Sequence, residues 1–193
     1  MIGKAKDWVI RYIDYKKLPS LVGQESGRGG YKEGLILLIV SQLVNALAFF
    51  VSFPLSMVFT PLQFEPAQLL LSLSVLSFIG MVAFYVIGLT IFLAGTLLGG
   101  KGTPDNLLYL LSVMNLCSRI VTAPFVILSA VEPISFLMLL AVSLIGLYGL
   151  YAVYLAVRGS LSLSPLRTIA SMLAGLLVVI LVLAVLGLSA GQV

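Results

Sequence analysis

Five long apolar runs, separated by short polar connectors, dominate the pattern of this chain. They cover residues 34–59, 67–98, 104–131, 134–157 and 166–189. A bilayer core is crossed by about 20 apolar residues of helix, and each run provides at least that many. Strands of a membrane barrel would instead alternate polar and apolar positions over about 10 residues. The pattern therefore predicts an all-α integral membrane protein, a five-transmembrane-helix bundle over residues 34–193.

Prolines mark the starts of four of these runs. Pro66, Pro104, Pro133 and Pro165 each stand at or next to the first helical position. Proline is favoured there because the N–H that it lacks would have no partner within the helix. The four prolines therefore predict where the helices begin, and Thr103 is a predicted cap of the third span.

Residues 1–33 form a polar segment ahead of the bundle. Over residues 2–17, apolar side chains recur at helical spacing and most charges fall on the opposite face. We therefore expect an N-terminal amphipathic helix over 2–17. Leu18–Pro19 should end it, because proline disfavours helical geometry in the residue before it. The glycine-rich Gly23–Gly30 then predicts a flexible connector.

This N-terminal helix has the features of a helix that lies on a membrane surface. Its apolar face carries Trp8, and its polar positions include Lys4, Arg11, Lys16 and Lys17. One such face enters the acyl boundary while the cations meet anionic lipid headgroups. The alternative is that the helix packs on the ends of the bundle or on a partner protein.

Small residues recur at helical spacing in three of the runs. They are Gly80, Gly88, Gly95 and Gly99 in the second run, Ser143, Gly146, Gly149 and Ala152 in the fourth, and Ala170, Ser171, Ala174 and Gly175 in the fifth. Small side chains let helix backbones approach closely, and this packing drives helix association in lipid. We expect contacts within one bundle, and the alternative is a homo-oligomer interface.

Composition and charge sharpen this topology. Hydrophobic residues make up 61% of the chain and charged residues 9%, against about 25% charged in soluble domains. With the N-terminus in the cytoplasm and the C-terminus outside, every lysine and arginine except Arg119 falls on the cytoplasmic side, as the positive-inside rule requires. The two exterior connectors carry only Glu65 and Glu132. The net charge of +4 thus favours anionic headgroups as partner rather than nucleic acid.

Arg119 is the candidate for a functional site, because it lies inside the third span. A charge at mid-membrane costs at least about 2.5 kcal/mol, so such residues are functional candidates by default. Asn115 and Thr122 share its helix face, and Gln42 and Asn45 of the first span could meet them across the bundle. Either Arg119 ties helices together or snorkels outward, or it recognises a ligand or partner.

Enzymatic chemistry is not indicated. The chain has no histidine and a single cysteine, Cys117. We therefore expect no serine–histidine dyad, no histidine-ligated zinc and no intrachain disulfide. No aspartate lies at a mid-span position. We accordingly expect no catalytic residue, no cofactor and no metal.

The glycine-rich segment Gly95–Thr103 comes close to a phosphate-binding P-loop. The motif requires serine or threonine directly after its lysine, and here Gly102 follows Lys101. The segment also follows a membrane span rather than a β-strand. We therefore interpret Gly99, Gly100, Lys101 and Gly102 as a tight cytoplasmic turn.

The stretch from Phe92 to Arg119 resembles the Ypt-interacting protein (YIP) domain family, in which a span ends in a Gly-Gly-Lys-Gly-Ser/Thr turn before a Leu/Tyr-rich helix start. The lead-in Tyr31–Gly34 and a Gly/Ser connector after the fourth run extend the resemblance over about residues 31–189. It implies five helices, with the N-terminus cytoplasmic and the C-terminus exterior or lumenal.

What the resemblance implies about function is broader. Eukaryotic members are associated with Rab-type GTPases and early secretory vesicle traffic. This chain looks like the short prokaryotic-type members, since it has no long N-terminal region and no Asp-Leu-x-Gly-Pro motif. The expectation is a non-enzymatic protein of a prokaryotic cell membrane that organises membrane or partner proteins, with a membrane or GTPase protein as partner. The alternative is a small-solute or ion permease with Arg119 lining its site.

Overall fold

A computed structural model of the chain describes residues 2–59, 66–131 and 134–190, and all regular structure in these ranges is helical. The helices are α1 (Ile2–Ile13), α2 (Leu18–Glu25), α3 (Tyr31–Phe59), α4 (Pro66–Leu97), α5 (Pro104–Leu128), α6 (Ser135–Leu161) and α7 (Pro165–Ala190). Within the described residues, α3 to α6 each contain a segment long and apolar enough to cross a membrane. The corresponding segment of α7, Pro165–Val178, is shorter. The chain is therefore an all-helical, multi-pass membrane protein.

The helix boundaries follow the apolar runs closely. Prolines begin α4, α5 and α7, as predicted. Thr103 caps α5, and its Oγ1 accepts a hydrogen bond from the Asn106 N–H at 3.4 Å. Glu65, Glu132 and Pro133 lie outside the described residues.

The N-terminal segment departs from its prediction. The helix expected over 2–17 ends at Ile13, and a second helix, α2, begins at Leu18 with Pro19 in its first turn. Proline is tolerated there because first-turn N–H groups need no partner within the helix. The proline expected to end one helix therefore helps to start another. The predicted connector Gly23–Gly30 is correspondingly helical through Glu25.

Contacts between helices fix their relative directions. α3 and α5 run parallel, since Ser41 bonds Asn115 and Asn45 bonds Arg119. α4 and α7 run antiparallel, because Gly175 lies against Ile91 while Gly99, near the end of α4, lies close to Arg167, near the start of α7. The N–H of Lys101 donates to the Leu161 carbonyl at 3.1 Å, which places the end of α6 beside the start of α5.

One end of the bundle is thereby defined. α3, α5 and α7 begin there, and α4 and α6 end there. We call it the basic end, because the exposed residues Lys101, Arg158 and Arg167 lie there.

The core lies in the half of the bundle next to the basic end, with α5 at its centre. Leu107, Leu110 and Val113 of α5 are 0% exposed. Beyond Cys117 no described residue of α5 is buried, and the buried residues of α6 begin only at Ala152. The other half thus presents apolar side chains outward, where lipid would cover them.

Candidate functional site

Arg119 lies in a small polar cluster between α3 and α5. Its Nη1 donates to Asn45 Oδ1 at 3.0 Å. One helical turn closer to the basic end, Asn115 Nδ2 donates to Ser41 Oγ at 2.9 Å. Ser41 is 0% exposed and its hydroxyl donates to the Leu38 carbonyl at 2.7 Å. The parallel register of α3 and α5 therefore aligns two rungs of side-chain hydrogen bonds.

A cavity of about 320 Å³ opens beside these rungs, and we call it the Arg119 cavity. Its lining comes from α3, α4 and α5 and comprises Gln42, Asn45, Ala46, Phe49, Ser77, Gly80, Phe84, Asn115 and Arg119. Gly80 leaves room opposite Gln42: a Cβ there would lie 3.7 Å from Gln42 Nε2. The structure thus brings four of the five predicted polar residues to one cavity.

Thr122 is the predicted member that does not join them. Its hydroxyl donates to the Ser118 carbonyl of its own helix at 2.9 Å, and it is not among the residues lining the cavity. A threonine inside a helix commonly bonds back to the preceding turn. Ser41, by contrast, is a polar contact that the sequence reasoning missed, although it lies one residue before Gln42 on the same span.

The glycine-rich turn is a close contact between helix ends. Gly99 has a φ of +92°, a conformation that glycine adopts without strain and that commonly ends helices. The Gly100 N–H donates to the Gly95 carbonyl at 2.9 Å. A Cβ on Gly102 would lie 2.0 Å from the Ser160 carbonyl oxygen, so only glycine fits beside the end of α6. Lys101 is exposed and free to face a headgroup or partner.

A buried acid, unforeseen from the sequence, anchors the N-terminal segment to α5. Glu25 is 6% exposed, and its Oε2 accepts a hydrogen bond from the Tyr109 hydroxyl at 2.7 Å. Arg28 Nη1 lies 3.7 Å from Glu25 Oε1. The Gly27 N–H donates to Asn106 Oδ1 at 2.7 Å. The segment interpreted as a flexible connector is therefore fastened to the first turns of α5.

Helix α1 packs on the bundle through the face that was predicted to meet lipid. Trp8 is 5% exposed and Tyr12 1% exposed, both within the core. The Tyr148 hydroxyl donates to the Tyr12 carbonyl oxygen, and the two rings meet edge to face at 5.3 Å. For Trp8, the protein-packed alternative therefore replaces the lipid-interface prediction. An amphipathic pattern cannot distinguish lipid from protein as the apolar partner.

Two cations of the N-terminal segment, Arg11 and Lys17, have local partners. Arg11 pairs with Asp7 at 3.0 Å and donates to Gln24 Oε1 at 2.6 Å, which joins α1 to α2. Lys17 Nζ lies 3.0 Å from Asp14 Oδ2, and its hydrogen bond lowers the pKa of Asp14. Lys4 and Lys16 are exposed. Among the side chains of α1 that the structure describes, Ile10 and Ile13 are exposed apolar residues (51% and 62%) and are available for lipid contact.

A bundle of long apolar helices with a packed polar end defines a helical multi-pass membrane protein. A family model described as the Yip1 domain matches residues 25–187. The chain therefore belongs to the Yip1 domain family, a family of non-enzymatic membrane proteins. Among proteins with curated descriptions and among solved structures, none matches. The match includes the glycine-rich turn, Arg119 and the anchoring residues Glu25 and Tyr109.

Proposed function

We propose that this Yip1-domain protein is a five-span scaffold that organises membrane or partner proteins through a cytoplasmic basic end. One observation carries the proposal: every described lysine and arginine except Arg119 lies either in the N-terminal segment or at the helix ends that form the basic end. The alternating directions of α3 to α7 agree with five crossings. Anionic headgroups are the first partner that this charge favours, because cytoplasmic leaflets attract clustered lysine and arginine.

A partner protein would bind the same surface, the basic end. Anchoring of α1 and α2 on the bundle gives the basic end a defined shape that a partner protein can recognise. A membrane protein, a GTPase or a second copy of this chain each fits that role. The role requires no catalysis and no cofactor. A prokaryotic cell membrane is the location that we propose.

Orientation is tested by cysteine labelling in intact cells, in a Cys117→Ala background. Lys101→Cys should be protected from an impermeant thiol reagent, and Glu132→Cys should be labelled. The reverse pattern would overturn the proposed topology. Partner capture then follows by crosslinking in native membranes. Lys101→Glu should lower the yield of the captured protein relative to an exposed control on the opposite half of the bundle, Leu137→Ala.

The cavity beside Arg119 favours a second function, that of a small-solute or ion permease. A polar cavity next to a mid-span cation is what a solute site inside a membrane requires. Flux into proteoliposomes distinguishes the two functions. A permease loses flux on Arg119→Gln, whereas a scaffold shows no flux above empty liposomes.

A further inference from the structure

Two cavities adjoin along the line where α3 and α4 face each other. The first is the Arg119 cavity. The second, of about 340 Å³, is lined mainly by apolar residues: Ile39, Leu43, Ala46, Leu47, Phe50 and Met81, with Gln42, Ser74 and Ser77. Gln42, Ala46 and Ser77 line both, so the two cavities share a wall. We call the second the apolar cavity.

The apolar cavity faces the lipid side of the bundle. Leu43, Leu47 and Phe50 on its α3 wall are 58%, 64% and 45% exposed. α3 packs along α5 through most of the described contacts that it makes, while its contacts with α4 are few. A lipid acyl chain in the bilayer therefore has a route between α3 and α4 to the Arg119 cavity.

Arg119 brings a positive charge to this site, and the part of the chain that the structure describes offers little to balance it. A guanidinium has five N–H donors, and among the described residues its side-chain acceptor is Asn45 Oδ1. The ion pairs in the described part of the chain all lie in the N-terminal segment. Asn45 and Asn115 are neutral, so they satisfy hydrogen bonds without neutralising the charge. An anion is the ligand that completes this arrangement.

We infer that the paired cavities bind an anionic membrane lipid. The lipid phosphate pairs with Arg119 and accepts hydrogen bonds from the side-chain amides that line the Arg119 cavity. One acyl chain lies in the apolar cavity. Arginine suits this task because its planar fork binds phosphate through two parallel hydrogen bonds. Each cavity is within the range of about 300 to 1,000 Å³ that ligand sites occupy. This inference does not depend on the proposed scaffold role.

The probe is the full-length protein purified in neutral detergent, with bound lipid counted by native mass spectrometry and melting temperature followed in parallel. Phosphatidylglycerol supplies the anionic lipid, phosphatidylcholine the zwitterionic control and inorganic phosphate the anion without a chain. Arg119→Gln removes the charge and keeps hydrogen-bonding capacity. Thr122→Val, one helical turn from Arg119 on α5 but outside the lining of both cavities, is the control. Ala46→Phe keeps Arg119 but places a larger side chain where Ala46 lines both cavities, so it reduces the space in each.

The expected result is saturable binding of phosphatidylglycerol by the wild-type chain and by Thr122→Val. Arg119→Gln and Ala46→Phe should each weaken it by about tenfold or more, the scale of one charged contact. Inorganic phosphate should not compete. Undiminished binding by Arg119→Gln, or equal binding of phosphatidylcholine, would overturn the inference. Competition by inorganic phosphate would also overturn it, since the site would then be one for a soluble anion. If Arg119→Gln does not fold, Ala46→Phe alone decides: unchanged binding contradicts the acyl-chain placement.

Discussion

Helix α5 passes through two different environments. From Leu107 to Cys117 most of its side chains are buried among α1, α3, α4 and α6. From Ser118 onward its described side chains are partly exposed, and this region contributes Arg119 to the Arg119 cavity. Glycine contacts and polar anchors hold the first region, which we call the closed half. The second region, the open half, relies on lipid to cover its apolar surface.

Glycines show the same difference. At the basic end, Gly102 abuts the Ser160 carbonyl and a Cβ on Gly159 would lie 2.6 Å from Val22. In the opposite half, nothing lies within 4 Å of a Cβ on Gly146. Because lipid tails are as apolar as leucine, helices associate in a membrane through close packing and polar contacts rather than through hydrophobic exclusion. The comparison therefore locates where this protein fixes its geometry.

The largest effect is expected for Trp8→Ala. Truncation of a buried tryptophan should lower the free energy of unfolding by about 4 kcal/mol, since it leaves a cavity in the core. Ile13→Ala on the same helix is the control, because Ile13 is 62% exposed. Unfolding in detergent measures both. If both variants lost the same small free energy of unfolding, Trp8 would lie at the lipid interface and α1 would not be packed in the closed half.

Gly102→Ala should come next, at about 3 kcal/mol, because its Cβ would meet a backbone carbonyl and force α6 to shift. Gly146→Ala provides the matched substitution in open surroundings and should be neutral or slightly stabilising, since alanine is the better helix former. Melting temperatures of the two variants make the comparison. Were Gly102→Ala as stable as Gly146→Ala, the turn would not be a packing contact.

Tyr109→Phe isolates the polar anchor. It leaves the buried Glu25 carboxylate with one fewer donor, which should cost about 2 kcal/mol. It should also speed proteolysis of the segment around Gly27, which the anchor holds on α5. Tyr15→Phe, at an exposed tyrosine, serves as control. Unchanged proteolysis would mean that the anchor does not order this segment.

Ser41→Ala should have the smallest effect, about 0.6 kcal/mol, the typical size of one hydrogen bond between membrane helices. Its control is Ser143→Ala, because the Ser143 hydroxyl donates within its own helix to the Leu139 carbonyl. Reversible unfolding of both variants gives the difference. A loss above about 2 kcal/mol would show that the rung at Asn115 ties α3 to α5 as firmly as the contacts of the basic end, contrary to the comparison.

The sequence is enough to predict the long helices α3 to α7, because length and apolar composition mark them almost locally. The starts at Pro104 and Pro165 follow from proline itself, since the N–H that it lacks would have no partner in the first turn. The sequence is not enough to predict which surface an amphipathic helix meets: the pattern around Trp8 favours lipid, whereas in the structure Trp8 packs in the core. The contact of Glu25 with Tyr109 depends on tertiary packing across many residues. The cavity beside Arg119 depends on how far apart α3 and α4 lie, which no local pattern encodes.

The helices of this bundle are closely packed at the basic end, whereas α3 and α4 make few contacts with each other. Pulsed electron paramagnetic resonance on paired spin labels in a Cys117→Ala background tests it most directly. Leu97 and Leu166, which are 89% and 81% exposed, report on α4 against α7 at the basic end. Leu47 and Phe78, both 64% exposed, report on α3 against α4. We expect a narrow distance distribution for the first pair and a clearly broader one for the second. Equal widths, or a broader distribution at the basic end, would contradict the account.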